Sequence, residues 1–103
     1  MKIEALGKPA GCKLIRITAE LSPSTEGSPL AEGIIQSISI RGDFFASPEE
    51  GFDRVEQRLP GIRAEELGAS FDQYLKEEGV EAQGICGDGL AEVFNSALKR
   101  EAL

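Results

Sequence analysis

Cys12 and Cys86 are the chain's only cysteines, and no histidine accompanies them. Cysteine–histidine and serine–histidine pairs, the common ways of activating a side-chain nucleophile, are therefore excluded, and an independent hydrolase is not expected. The two cysteines lie far apart in sequence, and neither has a second cysteine nearby to make a metal-ligand pair, so no structural zinc site is expected. In a reducing compartment the ordinary reading is two buried or half-buried thiols. Spacing alone does not decide between that and a disulfide or a reactive role.

The run Gly84-Ile85-Cys86-Gly87-Asp88-Gly89 is glycine-rich and opens a helix, yet it has neither the dinucleotide fingerprint nor the Walker lysine. A plain turn and helix start is the simpler reading. The helix dipole can lower the pKa of a thiol placed at Cys86, whereas Asp88 beside it works against thiolate formation. The acidic pairs Glu49-Glu50, Glu65-Glu66 and Glu77-Glu78 lack the interleaved oxygen ligands of a calcium loop and read as solvated helix faces.

Two stretches are more particular than a fold requires. In Gly7-Lys8-Pro9-Ala10-Gly11-Cys12-Lys13-Leu14-Ile15-Arg16, a glycine-and-proline bend carrying two lysines feeds directly into a strand. In Gly42-Asp43-Phe44-Phe45-Ala46-Ser47-Pro48-Glu49-Glu50, adjacent aromatics sit at a strand-to-helix turn and must point in different directions. One of them can enter the core while the other covers a neighbouring surface, so core packing and a partner contact are both open.

The elements that position these stretches follow from periodicity. Residues 13–21 alternate with a period of two, placing Ile15, Ile17, Ala19 and Leu21 on one side of a half-buried strand. Residues 22–29 concentrate turn formers and predict a mobile loop. From Gly33 the alternation resumes, with Ile34, Ile38 and Ile40 on one face and Ser37, Ser39 and Arg41 on the other. The connection contains no helix-length amphipathic segment, which predicts an antiparallel pair.

Ser47-Pro48-Glu49-Glu50 is a helix-start signature, with Ser47 as cap, Pro48 in the first turn and acids at the positive helix end. Phe52, Val55 and Leu59 give that helix its apolar stripe until Pro60-Gly61 stops it. A second helix from about Ala64 carries Leu67, Phe71, Tyr74 and Leu75, is weakened by Gly68, and closes near Gly79. Residues 80–85 read as a third strand or an extended connector. A final helix carries Leu90, Val93, Phe94, Ala97 and Leu98, with Lys99 and Arg100 near its negative end. The order strand, strand, helix, helix, strand, helix predicts an α+β domain: a small antiparallel sheet of two to three strands with about three helices packed on one face.

At 103 residues the chain is expected to be a single domain, large enough to fold without metal or disulfide staples. Its N-terminus lacks the apolar core of a secretion signal, so a cytoplasmic location is expected. A net charge of −7 disfavours nucleic acid or an anionic membrane as partner.

The lysine- and glycine-containing bend before Lys13-Leu14-Ile15-Arg16, followed by Gly42-Asp43-Phe44-Phe45 and Pro48-Glu49-Glu50, resembles the accessory C-terminal domain of lipoate-protein ligases. The resemblance spans roughly residues 8–98, and the Gly-Asp-Phe-Phe run is its most specific part. In that family a larger catalytic domain activates lipoate with ATP to lipoyl-adenylate and passes the lipoyl group to a lysine of an acceptor domain. The catalytic lysine and adenylate loop belong to that larger domain, and nothing in this chain matches them.

Some members divide the enzyme between two polypeptides, the small domain being a separate subunit needed for efficient adenylation. A chain of this length beginning with methionine resembles that form. The resemblance implies a non-catalytic subunit that binds no cofactor or metal alone, in a complex that uses ATP and lipoate. Its partners would be the catalytic large subunit and, secondarily, a lipoyl acceptor domain. Carried over residue by residue, it singles out Lys8, Gly11, Lys13, Arg16, Gly42, Asp43, Phe44 and Phe45 as partner- or substrate-proximal. Lys13 and Arg16 would either neutralise phosphate charge near the ATP site or hold Asp43 in an ion pair, the latter being the simpler. Cys12 stands where the family often has a second glycine, which puts close backbone approach at the bend in doubt. The family's small domain also resembles, in fold, sulfur-acceptor and iron–sulfur scaffold proteins. The rival reading is therefore a cysteine-based acceptor, which requires Cys12 or Cys86 to be exposed and nucleophilic.

Overall fold

The computed structural model describes residues 2–22 and 33–102, and the side chains of residues 101 and 102 are not among the described parts. The expected loop at residues 22–29 therefore lies, beyond Ser22, outside the described residues.

Strand β2 (Ile15–Ser22) is the centre of a three-stranded antiparallel sheet, flanked by β1 (Lys2–Gly7) and β3 (Ile34–Gly42). The alternation that predicts β2 holds throughout: Ile15, Ile17, Ala19 and Leu21 are buried, while Arg16, Thr18 and Glu20 are exposed. β1 is a strand that the periodicity of the sequence does not predict. It buries Ile3 and Ala5 on the same face and leaves Leu6 57% exposed on the other.

One expectation for β3 is corrected. Its pairing with β2 runs from Ile15↔Gly42 to Glu20↔Ser37 and then shifts to Leu21↔Ile35, which makes Gln36 the extra residue of a bulge. A one-residue shift exchanges the two faces of a strand. Ile40 is buried and Ile38 half-buried before the bulge; beyond it Ile35, not Ile34, is fully buried. Ile34 is half-buried and bridges to Arg63. The chain at 61–64 runs along this end of β3: Ile35 N–H donates to the Ile62 carbonyl (2.9 Å), Gly61 N–H to Ile35 (2.7 Å) and Ala64 N–H to Gly33 (2.8 Å).

Three helices follow in sequence: α1 (Glu49–Arg58), α2 (Leu67–Glu77) and α3 (Gly87–Ala102). α3 lies across β1 and β2, α2 packs on α3, and α1 packs on α2. The expected α+β architecture, with three helices against a small antiparallel sheet, is therefore present. The core is continuous from Ile3, Ile15 and Ile17 through Leu90 and Phe94 to Phe71 and Val55. Burying a side chain of this size contributes about 1.5–3 kcal/mol relative to exposure.

Helix α1 starts one residue later than its start signature implies. Pro48 is the N-cap residue, no side chain caps the helix, and Ser47 belongs instead to β4 (Phe45–Ser47). Ser47 is committed to pairing with Glu81 in β5 (Glu81–Gln83), so it is not the cap. β4 and β5 form a separate two-stranded sheet, so the strand expected in residues 80–85 exists but does not join the main sheet.

A 3-10 turn at Ala64–Glu66 precedes α2, and Gly79 takes a positive φ of 67° just past its end. Gly68, unfavourable by helix propensity, has a packing reason. A Cβ there would lie 2.7 Å from the Gly87 carbonyl oxygen and 3.2 Å from the Ala91 side chain. Gly87 in turn has no room for a Cβ against the Gly68 carbonyl and Asp72. Facing glycines thus let α2 and the start of α3 meet backbone to backbone. Asp72 completes the joint by accepting the Gly87 N–H at 2.8 Å.

Candidate functional site

Three short segments converge beside the main sheet: the 8–14 bend, the 42–44 turn and the 84–86 turn. The bend is closed by Cys12 N–H donating to the Pro9 carbonyl (3.0 Å), with Gly11 at φ 77° supplying the left-handed conformation. Lys13 N–H donates to the Gly84 carbonyl (2.7 Å), and Asp43 N–H donates to the Leu14 carbonyl (3.0 Å). These two bonds join all three segments through successive residues of the bend.

Gly42 is required by this closeness, because a Cβ there would overlap the Leu14 carbonyl. A Cβ on Gly84 would lie 2.6 Å from Lys13 Cγ and 3.4 Å from Phe44 Cα, so Lys13, Gly84 and Phe44 meet at one point.

The two adjacent phenylalanines diverge as their position in a turn requires. Phe44 is half-buried, its ring 5.4 Å from that of Phe52, which meets Phe71 edge-on at 6.1 Å. Phe45 sits on β4 opposite Gln83 and is 62% exposed. Beside it lies an open hollow of about 370 Å³ whose lining includes Ile40, Arg41, Phe44, Phe45, Phe52 and Asp53. Its lining joins apolar side chains with charges of both signs from Arg41, Glu49 and Asp53.

The remaining candidates separate. Arg16 is exposed on the sheet's outer face, opposite Leu6 on β1 and Arg41 on β3. Lys8 is exposed just beyond the end of β1. Among the described residues Asp43 makes no ion pair with Lys13 or Arg16, so the ion pair expected from the sequence does not form. Arg41 takes the structural role instead. Its guanidinium bonds the Glu56 carboxylate at 2.9 Å and the Ile40 carbonyl at 2.8 Å, while the same carboxylate oxygen accepts Ile40 N–H at 2.6 Å. Neither Arg41 nor Glu56 has a sequence signal of its own, since this contact spans a strand and a helix.

A second charged group ties α1 to the end of α2. Arg54 bonds Glu78 at 2.7 Å, and Arg58 bonds Glu77 at 2.6 Å and Glu78 at 3.1 Å while its guanidinium lies 4.0 Å over the Tyr74 ring. Hydrogen bonds from Gln73 and then Arg58 hold the Glu77 carboxyl below its ordinary value. Arg54, followed by Arg58, does the same for Glu78. The acidic pair 77–78 is thus an interhelix clamp, not merely a solvated face.

The two thiols meet. Cys12 Sγ and Cys86 Sγ are 3.8 Å apart although 74 residues separate them. Cys12 is 7% exposed, and burial, followed by its contact with Cys86, pushes its thiol pKa up. Cys86 is exposed, immediately precedes α3, and its sulfur accepts Gly89 N–H at 3.5 Å, a capping contact on the helix. Sequence spacing carries no sign of this pairing. Among the described residues no group of three or more metal-ligating side chains occurs. Nor is any described helix long and apolar enough to cross a membrane.

No family model matches the chain, and no curated protein matches it. Among solved structures, it is similar to a chain from the structural analysis of an archaeal lipoylation system, a bi-partite lipoate protein ligase and its E2 lipoyl domain from Thermoplasma acidophilum. The two chains are 26% identical, the similarity covers 91% of this chain and 94% of that one, and the TM-score is 0.69. The resemblance carried by the 8–16 and 42–50 stretches therefore has a counterpart along nearly the whole fold.

Proposed function

We propose that this chain is the non-catalytic accessory subunit of a two-polypeptide lipoate-protein ligase. In this reading it supports ATP-dependent lipoyl-adenylate formation by a catalytic subunit supplied in trans. The observation that carries the reading is the similarity, over nine-tenths of both chains, to a chain of a bi-partite ligase system. Two features of the molecule agree with a subsidiary role: the absence of histidine from the chain and an exposed phenylalanine beside an open hollow of mixed apolar and charged lining.

In this reading the catalytic subunit docks on the corner formed by β4, β5 and the 42–44 turn, with Phe45 as the inserted side chain. Burying one phenylalanine in a matching pocket is worth about 1.5–3 kcal/mol, the size of a strong interface contact. Lys13 flanks this corner from the 8–14 bend and supplies positive charge beside the partner's phosphate-handling site, while Gly11, Gly42 and Asp43 fix the bend and turn and Lys8 stands apart, beyond the end of β1. Arg16, on the outer sheet face, belongs to a different surface and serves a second contact if it serves any. ATP and lipoate are used by the assembled pair, with this chain holding neither by itself.

The test is lipoyl-adenylate formation by the catalytic ligase chain from the same genome, measured with and without this protein. Stimulation by wild type, its loss in Phe45→Asp at unchanged thermal stability, and its survival in the Cys12→Ser, Cys86→Ser double variant are expected. No stimulation by folded wild type overturns the reading. Loss of stimulation in a folded double variant would transfer the role to the thiols and favour the sulfur-acceptor alternative.

A further inference from the structure

Cys12 and Cys86 present a geometry to which the ligase reading assigns no purpose. Their sulfurs are in van der Waals contact at 3.8 Å, and both thiols are free. A disulfide needs a sulfur separation of about 2.05 Å, which is within reach of side-chain rotation and a small shift of the bend. The Lys13 N–H bond to the Gly84 carbonyl already holds the two cysteine-bearing segments side by side, so the remaining approach falls mainly to the side chains. Space for the Cys12 sulfur is built into α3, because a Cβ on Gly89 would lie 2.6 Å from it. The two thiols are also unequal. Cys86 is open to solvent and holds its sulfur against the first-turn amide of Gly89, whereas Cys12 is buried behind it.

We infer that Cys12 and Cys86 form a reversible dithiol–disulfide pair, with Cys86 as the attacking thiol and Cys12 as the resolving one. The oxidant is a low-molecular-weight disulfide. The Cys86 thiolate attacks one of its sulfurs, the sulfur–sulfur bond of the oxidant breaks, and one small thiolate leaves with the proton given up by Cys86. Cys12 then loses its proton and attacks the Cys86 sulfur of the mixed disulfide, expelling the second small thiol. Two protein thiols are oxidised to one disulfide and one small disulfide is reduced to two thiols, with both protons accounted for. The closed pair links residues 74 apart in sequence and pins the 8–14 bend to the N-terminus of α3. The inference does not depend on the ligase reading, since it concerns this chain alone.

The experiment equilibrates the full wild-type chain in glutathione buffers of graded oxidised-to-reduced ratio. Intact mass, alkylation of remaining thiols, peptide mapping and the thermal midpoint are then read. Expected are a monomer lighter by two hydrogens, a Cys12–Cys86 crosslinked peptide, and a midpoint raised by roughly 10 °C and restored by dithiothreitol. Cys12→Ser should instead trap a stable glutathione adduct on Cys86, and Cys86→Ser should leave Cys12 unmodified in the folded chain. Cys12→Ala serves as a second trap where serine unfolds the protein. A wild type that retains glutathione on Cys86, joins into disulfide-linked dimers, or shows no reaction at either thiol while folded overturns the inference.

Discussion

The two sheets of this molecule solve different problems. In the three-stranded sheet each inward residue of β2 is buried against α3 and its neighbours, and Ile3, Ile15, Ile17, Ile35 and Ile40 are sealed from solvent. In the two-stranded sheet the strands are three residues each, Ala46 and Ala82 are only half-buried, and Phe45 stands 62% exposed. The first region has sealed its inward face, while Leu6 on its outer face stays 57% exposed opposite Arg16. The second carries apolar surface that intramolecular packing leaves open. Stability should therefore reside in one region and recognition in the other, with Phe44 and Phe45 lying on either side of the boundary.

The sharpest way to break this contrast is to truncate one aromatic from each region. Phe71→Ala should lower unfolding free energy by about 3–5 kcal/mol in urea titration, because the ring is fully buried and meets Phe52 edge-on. Phe45→Ala should alter it by no more than about 0.5 kcal/mol, yet weaken binding to the proposed catalytic partner roughly tenfold to a hundredfold by calorimetry. Equal destabilisation by both would erase the distinction between the sealed core and the open two-stranded sheet.

Gly68→Ala tests the stable half where helix propensity and packing disagree. Propensity favours alanine by about 1 kcal/mol. The Gly87 carbonyl sits 2.7 Å from the added methyl and is backbone, so it cannot swing aside. A net loss of about 1–3 kcal/mol is expected in denaturant unfolding, and a gain would show that α2 and α3 slide apart readily.

The smallest effect concerns the clamp between α1 and α2. Glu77 and Glu78 have folded-state pKa values below their ordinary ones, so each contributes stability fully above the unfolded value of about 4.3. That contribution is lost as pH falls through the depressed folded value. Glu78→Gln should therefore lower the thermal midpoint slightly at neutral pH and converge on wild type well below about pH 4, which makes the acid limb shallower. An unaltered acid limb would mean that the Arg54 and Arg58 contacts do not hold in solution.

Elements whose side chains repeat along their own length were legible from sequence. β2 and the three helices follow directly from period-two and helical stripes, and Gly79 ends α2 as its conformational freedom suggests. β1 escaped because its alternation is low in contrast, with Ala5 inward and Leu6 outward. β3 was recognised as a strand but its facing was misassigned, since the bulge at Gln36 exchanges the roles of Ile34 and Ile35 and no periodicity reports a bulge.

Ser47 shows a local signal yielding to a distant one. Its serine-proline-acid context fits a cap, and pairing with Glu81 in β5 takes precedence. Of the candidate site residues, the bend and turn do converge through Leu14 and Gly84, while Arg16 faces elsewhere. Contacts between residues remote in sequence, such as Arg41 with Glu56 and Cys12 with Cys86, arise only once the chain is folded.

The run of residues 61–64 beside β3 has a bearing on how the chain behaves at high concentration. An open strand edge is a template for intermolecular pairing. Here the β3 edge is occupied at one end by the backbone of Gly61, Ile62 and Ala64 and farther along by the Glu56 carboxylate on Ile40 N–H. The opposite edge strand, β1, carries a Lys2–Glu4 ion pair, and the Glu4 carbonyl accepts from Arg100 at 3.3 Å. Both margins of the main sheet are thus guarded against edge-to-edge aggregation. An isolated preparation should resist fibrillar stacking, and any self-association should begin at Phe45.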